Sequence, residues 1–418
     1  MRLLARSLLV VVSAAVLAVS AFAWTQVRLL DRSTTSASAS VTGTAAAAPT
    51  AEQNILLLGV DSRTDLQGNP LPPAVLDALH AGGTNDGGDT ADSIIVVHVP
   101  AGGGRATAIS VPRDSYVQLA DGYGTHKINS AYSRAVAFTT ASLTGDGGSS
   151  GAPTSPFAPE AAPSASPDDP AVRRAALAAG ARETIDTVQA LTGLQITHVA
   201  SVNLAGFADI SQAIGGVPVC LRAPVDDPYS GLHLPAGPQT VSGTQALAFV
   251  RQRHGLPGGD LDRIARQQVF LAGATNRLLS AGTLANPFAL DRLSGVVARS
   301  LTLDAGWDVL SFAAQMQDLS AGAVTFRTIP TGTDELATPE DGQAVQVDPA
   351  QVRSFVTDAI DVDTGVVPPP PTPATATPVG TQTGDASSTS SPTESTTTAA
   401  PPAPVPPPIT AAAPGCVN

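Results

Sequence analysis

The chain has 418 residues and a formal net charge of −13 at pH 7. That acidic balance argues against a general nucleic-acid binder, which carries a basic footprint across its domain. Six scattered histidines and two cysteines offer no cluster at zinc-ligand spacing, and 38 glycines and 36 prolines are spread unevenly, so much of the length lies outside a folded core.

Arg2 and Arg6 precede an uncharged, largely apolar run over residues 7–27, with Trp24 near its far end. About 20 such residues are needed to cross a bilayer as a helix. Basic residues ahead of the run predict a cytoplasmic N-terminus, with the remainder exported. Residues 1–32 are therefore expected to be a cytoplasmic tip and single-pass anchor. A cleaved leader is the alternative, because Ala21-Phe22-Ala23 resembles a cleavage site. Either reading exports the rest of the chain and makes a disulfide permissible.

A Ser/Thr/Ala-rich spacer follows, over residues 33–53. The folded domain is expected over 54–364, interrupted by a low-complexity insert at about 139–170. Residues 365–418 form a Pro/Thr/Ser-rich tail, expected to be disordered. Cys416 sits near the end of that tail, where packing gives no reason for a cysteine. A bridge to Cys220 is expected; two unrelated thiols are the alternative.

Within the domain, residues 54–60, 94–99 and 105–111 are short apolar runs that predict buried strands. A helix is predicted over 172–191, with Ala181, Ile185, Val188 and Leu191 on one face and Gly193 closing it. Residues 197–202 predict another strand. Asn203 then caps a helix that buries Leu204, Phe207, Ile210 and Ile214, and Val217 to Leu221 returns as a strand. This alternation predicts an α/β fold, an α-β-α sandwich around a central mixed sheet.

Polar residues gather at the ends of these strands. Asp61-Ser62-Arg63 follows the first, Asp92 precedes the second, and Arg113-Asp114 follows the third. Asp61 and Asp92 could present two carboxylates to one cation, although turn or cap roles would also explain each. Lys127 is the one lysine among 22 basic residues, which suggests a need for a compact point charge there. Residues 249–268, FVRQRHGLPGGDLDRIARQQ, concentrate Arg251, Arg253, Arg263 and Arg266. Guanidinium forks match phosphate oxygens in pairs, so an anion site is expected. Arg251 and Arg253 would share one face of an extended segment, and Arg263, Arg266 and Gln267 one side of a helix. A solvated surface paired to Asp260 and Asp262 is the plainer alternative.

Taken in order, residues 54–63, 90–99, 108–117, 126–133, 198–219 and 249–268 resemble the LytR-CpsA-Psr family. The resemblance spans about residues 54–279. It implies a membrane-anchored, extracytoplasmic phosphotransferase. Such an enzyme moves a glycopolymer from undecaprenyl pyrophosphate to peptidoglycan, at the 6-hydroxyl of N-acetylmuramic acid, with Mg2+. Carried over by motif, Asp61 and Asp92 would hold the metal. Arg63, Arg113, Arg251, Arg253, Arg263 and Gln267 would contact the pyrophosphate or order the residues that do, and Lys127 would sit near the headgroup. The catalytic set would be Arg113, Arg251, Arg253 and Asp92. The resemblance also implies a hydrophobic tunnel for the polyprenyl chain, and Val202, Phe207, Ile210 and Ile214 are its nominated lining. Asp61, Asp92 and Asp114 all remain open as the general base. A polyprenyl pyrophosphate hydrolase and a non-catalytic polyprenyl phosphate-binding envelope protein are the competing functions. The implied partners are the lipid-linked polymer, peptidoglycan and the membrane, with no nucleic acid. High Ala, Arg, Pro and Gly usage points to an actinobacterial source.

Overall fold

The computed structural model describes residues 35–37, 51–65, 69–83, 88–101, 104–145, 166–167, 169–279, 295–297, 299–304, 307, 324–365 and 407–418. The expected anchor at 1–32 lies outside them. Among the described residues no helix is long and apolar enough to cross a membrane.

The apolar runs form the centre of an eight-stranded mixed sheet. Its strands, in chain order, are β1 (Thr35–Ala37), β2 (Gln53–Val60), β3 (Ala91–Val99), β4 (Ala106–Val111), β5 (His198–Val202), β6 (Leu301–Asp304), β7 (Val324–Thr328) and β8 (Ile409–Thr410). The spatial order is β1-β6-β5-β2-β3-β4-β7-β8. β5 runs parallel to β2 and β7 parallel to β4, whereas β2–β3, β3–β4 and β5–β6 pair antiparallel. Side chains alternate across the pleat, so consecutive apolar residues supply both faces. Leu56, Leu58, Ile94, Val96 and Ile109 pack on one side, against α2 (Ser130–Thr144), α3 (Pro170–Thr192) and α7 (Pro349–Thr364). Ile55, Ile95, Ala108 and Phe326 pack on the other, where Ala272 of α6 (Gly259–Leu279) meets them. The result is the expected layered architecture.

A third apolar cluster joins α6 to α1 (Pro73–Ala78), α4 (Leu204–Ala213) and α5 (Gly243–Arg251). It also includes the antiparallel ribbon of 217–221 with 237–241. Capping explains several boundaries. Asp169 accepts a hydrogen bond from the Ala171 N–H at 2.7 Å, Pro170 opens α3, and Gly193 ends it at φ 78°. Asn203 Oδ1 accepts from the Gly206 N–H at 2.7 Å and starts α4. Gly180 lets α2 and α3 approach, since a Cβ there would sit 2.8 Å from the Tyr132 carbonyl oxygen.

Three expectations are corrected. The insert begins later than residue 139, because α2 continues to Thr144 and closes on Gly145 at φ 78°; residues 146–165 lie outside the described residues. Arg251 belongs to a helix, as the last residue of α5, and is not on an extended segment. The tail is not disordered throughout. Residues 407–418 are docked on the core, with β8 paired to β7 and Ala411 fully buried. A disulfide joins Cys220 to Cys416. Residues 366–406 lie outside the described set.

Candidate active site

Where β2 ends, its register with β3 shifts between Gly59 and Val60, and the Asp61 N–H donates to the Thr90 carbonyl at 2.9 Å. Asp92 lies on β3 itself, and both acids line one cavity. Asp92 Oδ1 accepts from Thr90 Oγ1 at 3.1 Å, and its Oδ2 meets Arg113 Nη1 at 2.6 Å. Arg113 occupies the turn after β4, so two adjacent strand ends position the pair. Asp61 Oδ2 receives Arg63 Nη1 at 3.0 Å, while Asp61 Oδ1 is buried and makes no hydrogen bond.

Two further carboxylates organise the arginines. Asp114 lies 3.4 Å from Lys127 Nζ, 3.5 Å from Arg253 Nη2 and 3.7 Å from Arg113 Nε. Asp260, in the first turn of α6, lies 2.7 Å from Arg263 Nη2, 3.4 Å from Arg253 Nη2 and 3.8 Å from Arg113 Nε. Six cations (Arg63, Arg113, Lys127, Arg251, Arg253, Arg263) thus surround four carboxylates (Asp61, Asp92, Asp114, Asp260), leaving a local positive excess in an acidic chain. Burial alone would lower the Arg113 guanidinium, but Asp92, Asp114 and Asp260 together outweigh it and raise it above its ordinary value. Arg263 goes the other way. Burial pushes it down to about 10, against the pull of Asp260 and with the push of Arg113. The buried Nε atoms of Arg113 and Arg263 make no hydrogen bond.

A cavity of about 470 Å³ opens on this network. Asp61, Asp92, Ser93, Arg251, Arg263 and Gln267 line its polar end. Val202, Phe207, Ile210, Ile214, Leu247 and Phe270 are among the apolar residues lining the rest. Gln267 is held between the Val250 carbonyl, to which Nε2 donates at 3.3 Å, and Ser93 Oγ, which donates to Oε1 at 3.2 Å. Arg251 Nη1 reaches the Leu79 and His80 carbonyls at 3.3 and 3.4 Å, leaving the rest of its fork available.

The nominated residues divide into four groups. Asp61, Asp92, Arg251, Arg263 and Gln267 face the cavity, together with all four apolar residues nominated for a tunnel. Arg113, Lys127 and Arg253 join them through Asp114 and Asp260. Arg63 is placed differently: Nε and Nη2 donate to the Ala81 carbonyl at 3.1 and 2.9 Å, and Nη1 donates to Asp61. It orders Asp61 and has no fork left for a ligand. Arg266 leaves the group altogether. It is fully buried on the other side of α6, bonded to Gln252 and to the Asn418 main-chain oxygen. Sequence reasoning treated Asp260 as mere charge neutralisation and overlooked its organising role. Its place three residues before Arg263 on a helix was the available signal.

These acids and arginines converge at one edge of the central sheet, where β2 and β4 end and β3 begins. The LytR_cpsA_psr family profile matches residues 24–358. The chain belongs to the LytR-CpsA-Psr family. Among relatives of this family, the Cell wall biosynthesis protein LcpA of Corynebacterium glutamicum is 42% identical over 307 residues, 73% of this chain and 55% of LcpA. A polyisoprenyl-teichoic acid–peptidoglycan teichoic acid transferase, TagU of Bacillus cereus, is 26% identical over 231 residues, 55% of this chain and 54% of TagU. The chain thus spans about half the length of the curated relatives it matches. The crystal structure of Bacillus subtilis TagV superposes with a TM-score of 0.51 at 21% identity, covering 75% of this chain and 98% of TagV.

Proposed function

We propose that this chain is a membrane-anchored, extracytoplasmic phosphotransferase that moves a glycopolymer from undecaprenyl pyrophosphate to peptidoglycan. The attachment point is the 6-hydroxyl of N-acetylmuramic acid, and the product is a phosphodiester. One observation carries the reading: a single cavity has an apolar body suited to a polyprenyl chain and a mouth of arginines suited to a diphosphate. The names of LcpA and TagU support the assignment to wall polymers, and the apolar run at 7–27 supports the anchor.

Asp61 supplies a fit for Mg2+. Its Oδ1 is buried, unbonded and at the cavity, and a hard cation takes one or two carboxylates plus phosphate oxygens. Asp92 beside it would share the ion while keeping its bond to Arg113. When bound, the ion would contribute charge stabilisation on the phosphate oxygens.

The chain's own residues do the rest. Arg251 and Arg263 grip the diphosphate at the cavity mouth, and Arg113, Arg253 and Lys127 extend the positive field. The acceptor hydroxyl attacks the sugar-linked phosphorus, a new P–O bond forms, and the bond to the bridging oxygen breaks. Polyprenyl phosphate leaves, and the arginines stabilise its charge. Asp114 has both oxygens committed to cations. Asp61 and Asp92 are likewise each engaged by an arginine, so the hydroxyl proton passes to one of these three carboxylates.

Incubation with an undecaprenyl pyrophosphate-linked saccharide and Mg2+, with and without peptidoglycan, tests this reading. Phosphodiester-linked product is expected only with the acceptor. Equal phosphate release without it would indicate a hydrolase, and bound donor with no turnover a carrier-binding protein.

A further inference from the structure

Arg266 is the largest fully buried side chain among the described residues, and it does not line the cavity. A buried guanidinium is costly, so the partners that Arg266 keeps matter to where its neighbours sit. Arg266 donates to Gln252 Oε1 and to the Asn418 main-chain oxygen, its fork lies 5.2 Å from the Phe249 ring centroid, and its buried Nη2 makes no hydrogen bond.

Both partners lead somewhere specific. Gln252 is the residue between Arg251 and Arg253. Its side chain turns inward at 4% exposure, Nε2 donates to the His254 carbonyl at 2.8 Å, and its N–H donates to the Ala248 carbonyl at 3.0 Å. The exit of α5 is therefore pinned from behind. In front, Arg251 stands over the cavity, and Arg253 stands against Asp114 and Asp260. On the other side of Arg266, residues 416–418 are fastened to the core. The Cys220–Cys416 disulfide anchors them, the Val417 N–H donates to the Cys220 carbonyl at 2.9 Å, and the Arg222 N–H donates to the Val417 carbonyl at 2.8 Å.

We infer that residues 416–418, Arg266 and Gln252 form a clasp that sets Arg251 and Arg253 at the spacing a diphosphate requires. Gln252 and Arg266 are positioning residues in this account: they touch no substrate atom and act through the two arginines. The disulfide, 196 residues apart in sequence, is the fastener of that clasp as well as a cross-link. The inference rests on the proposed reading of the cavity as a polyprenyl diphosphate site.

The test compares the full-length parent, Gln252→Met and Cys416→Ser for binding of geranylgeranyl diphosphate and of geranylgeraniol, both with Mg2+. The two ligands share the apolar chain, and only the first presents oxygens to the arginines. Gln252→Met keeps the side-chain volume and the disulfide, whereas Cys416→Ser opens the clasp from its far end. Each variant is expected to weaken diphosphate binding about tenfold, the size of one lost charge-assisted contact, and to leave the alcohol unchanged. Diphosphate affinity within about twofold of the parent in either variant overturns the clasp. So does an equal loss for both ligands, which marks general loosening of the fold. A parent that prefers neither ligand overturns the arginine site itself, and the clasp with it.

Discussion

At the scale of single residues, the site depends on acids that hold arginines apart. Asp260 is the clearest case, since Arg113, Arg253 and Arg263 all approach within 4 Å of its Oδ1. Like charges crowded this closely repel, and Arg263 is buried, so its one close counter-charge matters twice. Removing one partner of a buried pair costs about 3–5 kcal/mol. Asp260→Ala is therefore expected to lower unfolding stability by about 3 kcal/mol, at the bottom of that range because Asp260 keeps some exposure. Urea denaturation would measure it, and a change below about 0.5 kcal/mol would show that the arginines do not rely on this carboxylate. Asp61, Asp92 and the arginines were legible in the sequence because phosphate chemistry needs those side chains and the strand ends displayed them. Arg63 was only half legible. Its spacing from Asp61 was visible, but the Ala81 carbonyl that captures two of its nitrogens comes from a loop 18 residues away.

At the scale of elements, α6 shows why spacing alone misleads. Positions three and four apart straddle a helix face at opposite edges, so Arg263 and Gln267 can meet the cavity while Arg266 turns inward. Which way Arg266 turns depends on Gln252 and Asn418, partners 14 and 152 residues distant that no local pattern announces. The boundary of α2 was missed for a different reason. Residues 139–144 look like low-complexity sequence, yet Ala and Leu within them favour helix, and Gly145 supplies the left-handed stop. The strands and caps were easier, because Asn203 and Gly193 act on their immediate neighbours.

Helix α3 carries a pH-sensitive feature unrelated to the cavity. Glu183 is 2% exposed, and one of its carboxylate oxygens makes no hydrogen bond. Burial first, and the Asp121 charge second, raise its carboxyl from the ordinary 4.5 to about 8. The folded state therefore holds this proton more tightly than the unfolded chain. Its stabilising contribution is complete below about pH 4.5 and is lost as the pH climbs to about 8. Melting temperatures of the parent are expected to drop across that window, with a shallower drop for Glu183→Gln. Parallel profiles for the two proteins would contradict the assignment.

At the scale of the whole molecule, a mixed sheet covered on both faces gives rigid strand ends, and three apolar clusters leave a lined cavity beside them. The architecture followed from the alternation of apolar runs and helices. The docked tail did not, because a Pro/Thr/Ser-rich stretch carries no pattern that says where its end will land. The Cys220–Cys416 bond closes a loop of 196 residues. In the chain-entropy account, cross-links of that reach contribute about 5 kcal/mol through the unfolded state. Reduction is expected to lower the melting temperature of the folded domain, and a non-reduced digest is expected to yield the crosslinked Cys220–Cys416 peptide. Two free thiols in that digest would remove the tail from the core.

In the proposed function, separate guanidiniums grip a diphosphate at the cavity while its lipid lies in the apolar space behind. Transfer of a saccharide from undecaprenyl pyrophosphate to peptidoglycan tests it most directly, with the parent measured beside Arg251→Ala and Arg253→Ala. Each variant is expected to lose at least about a hundredfold in transfer rate, in the range for removing one charge-stabilising donor, while its circular dichroism stays that of the parent. Near-parental transfer by both variants would contradict the account.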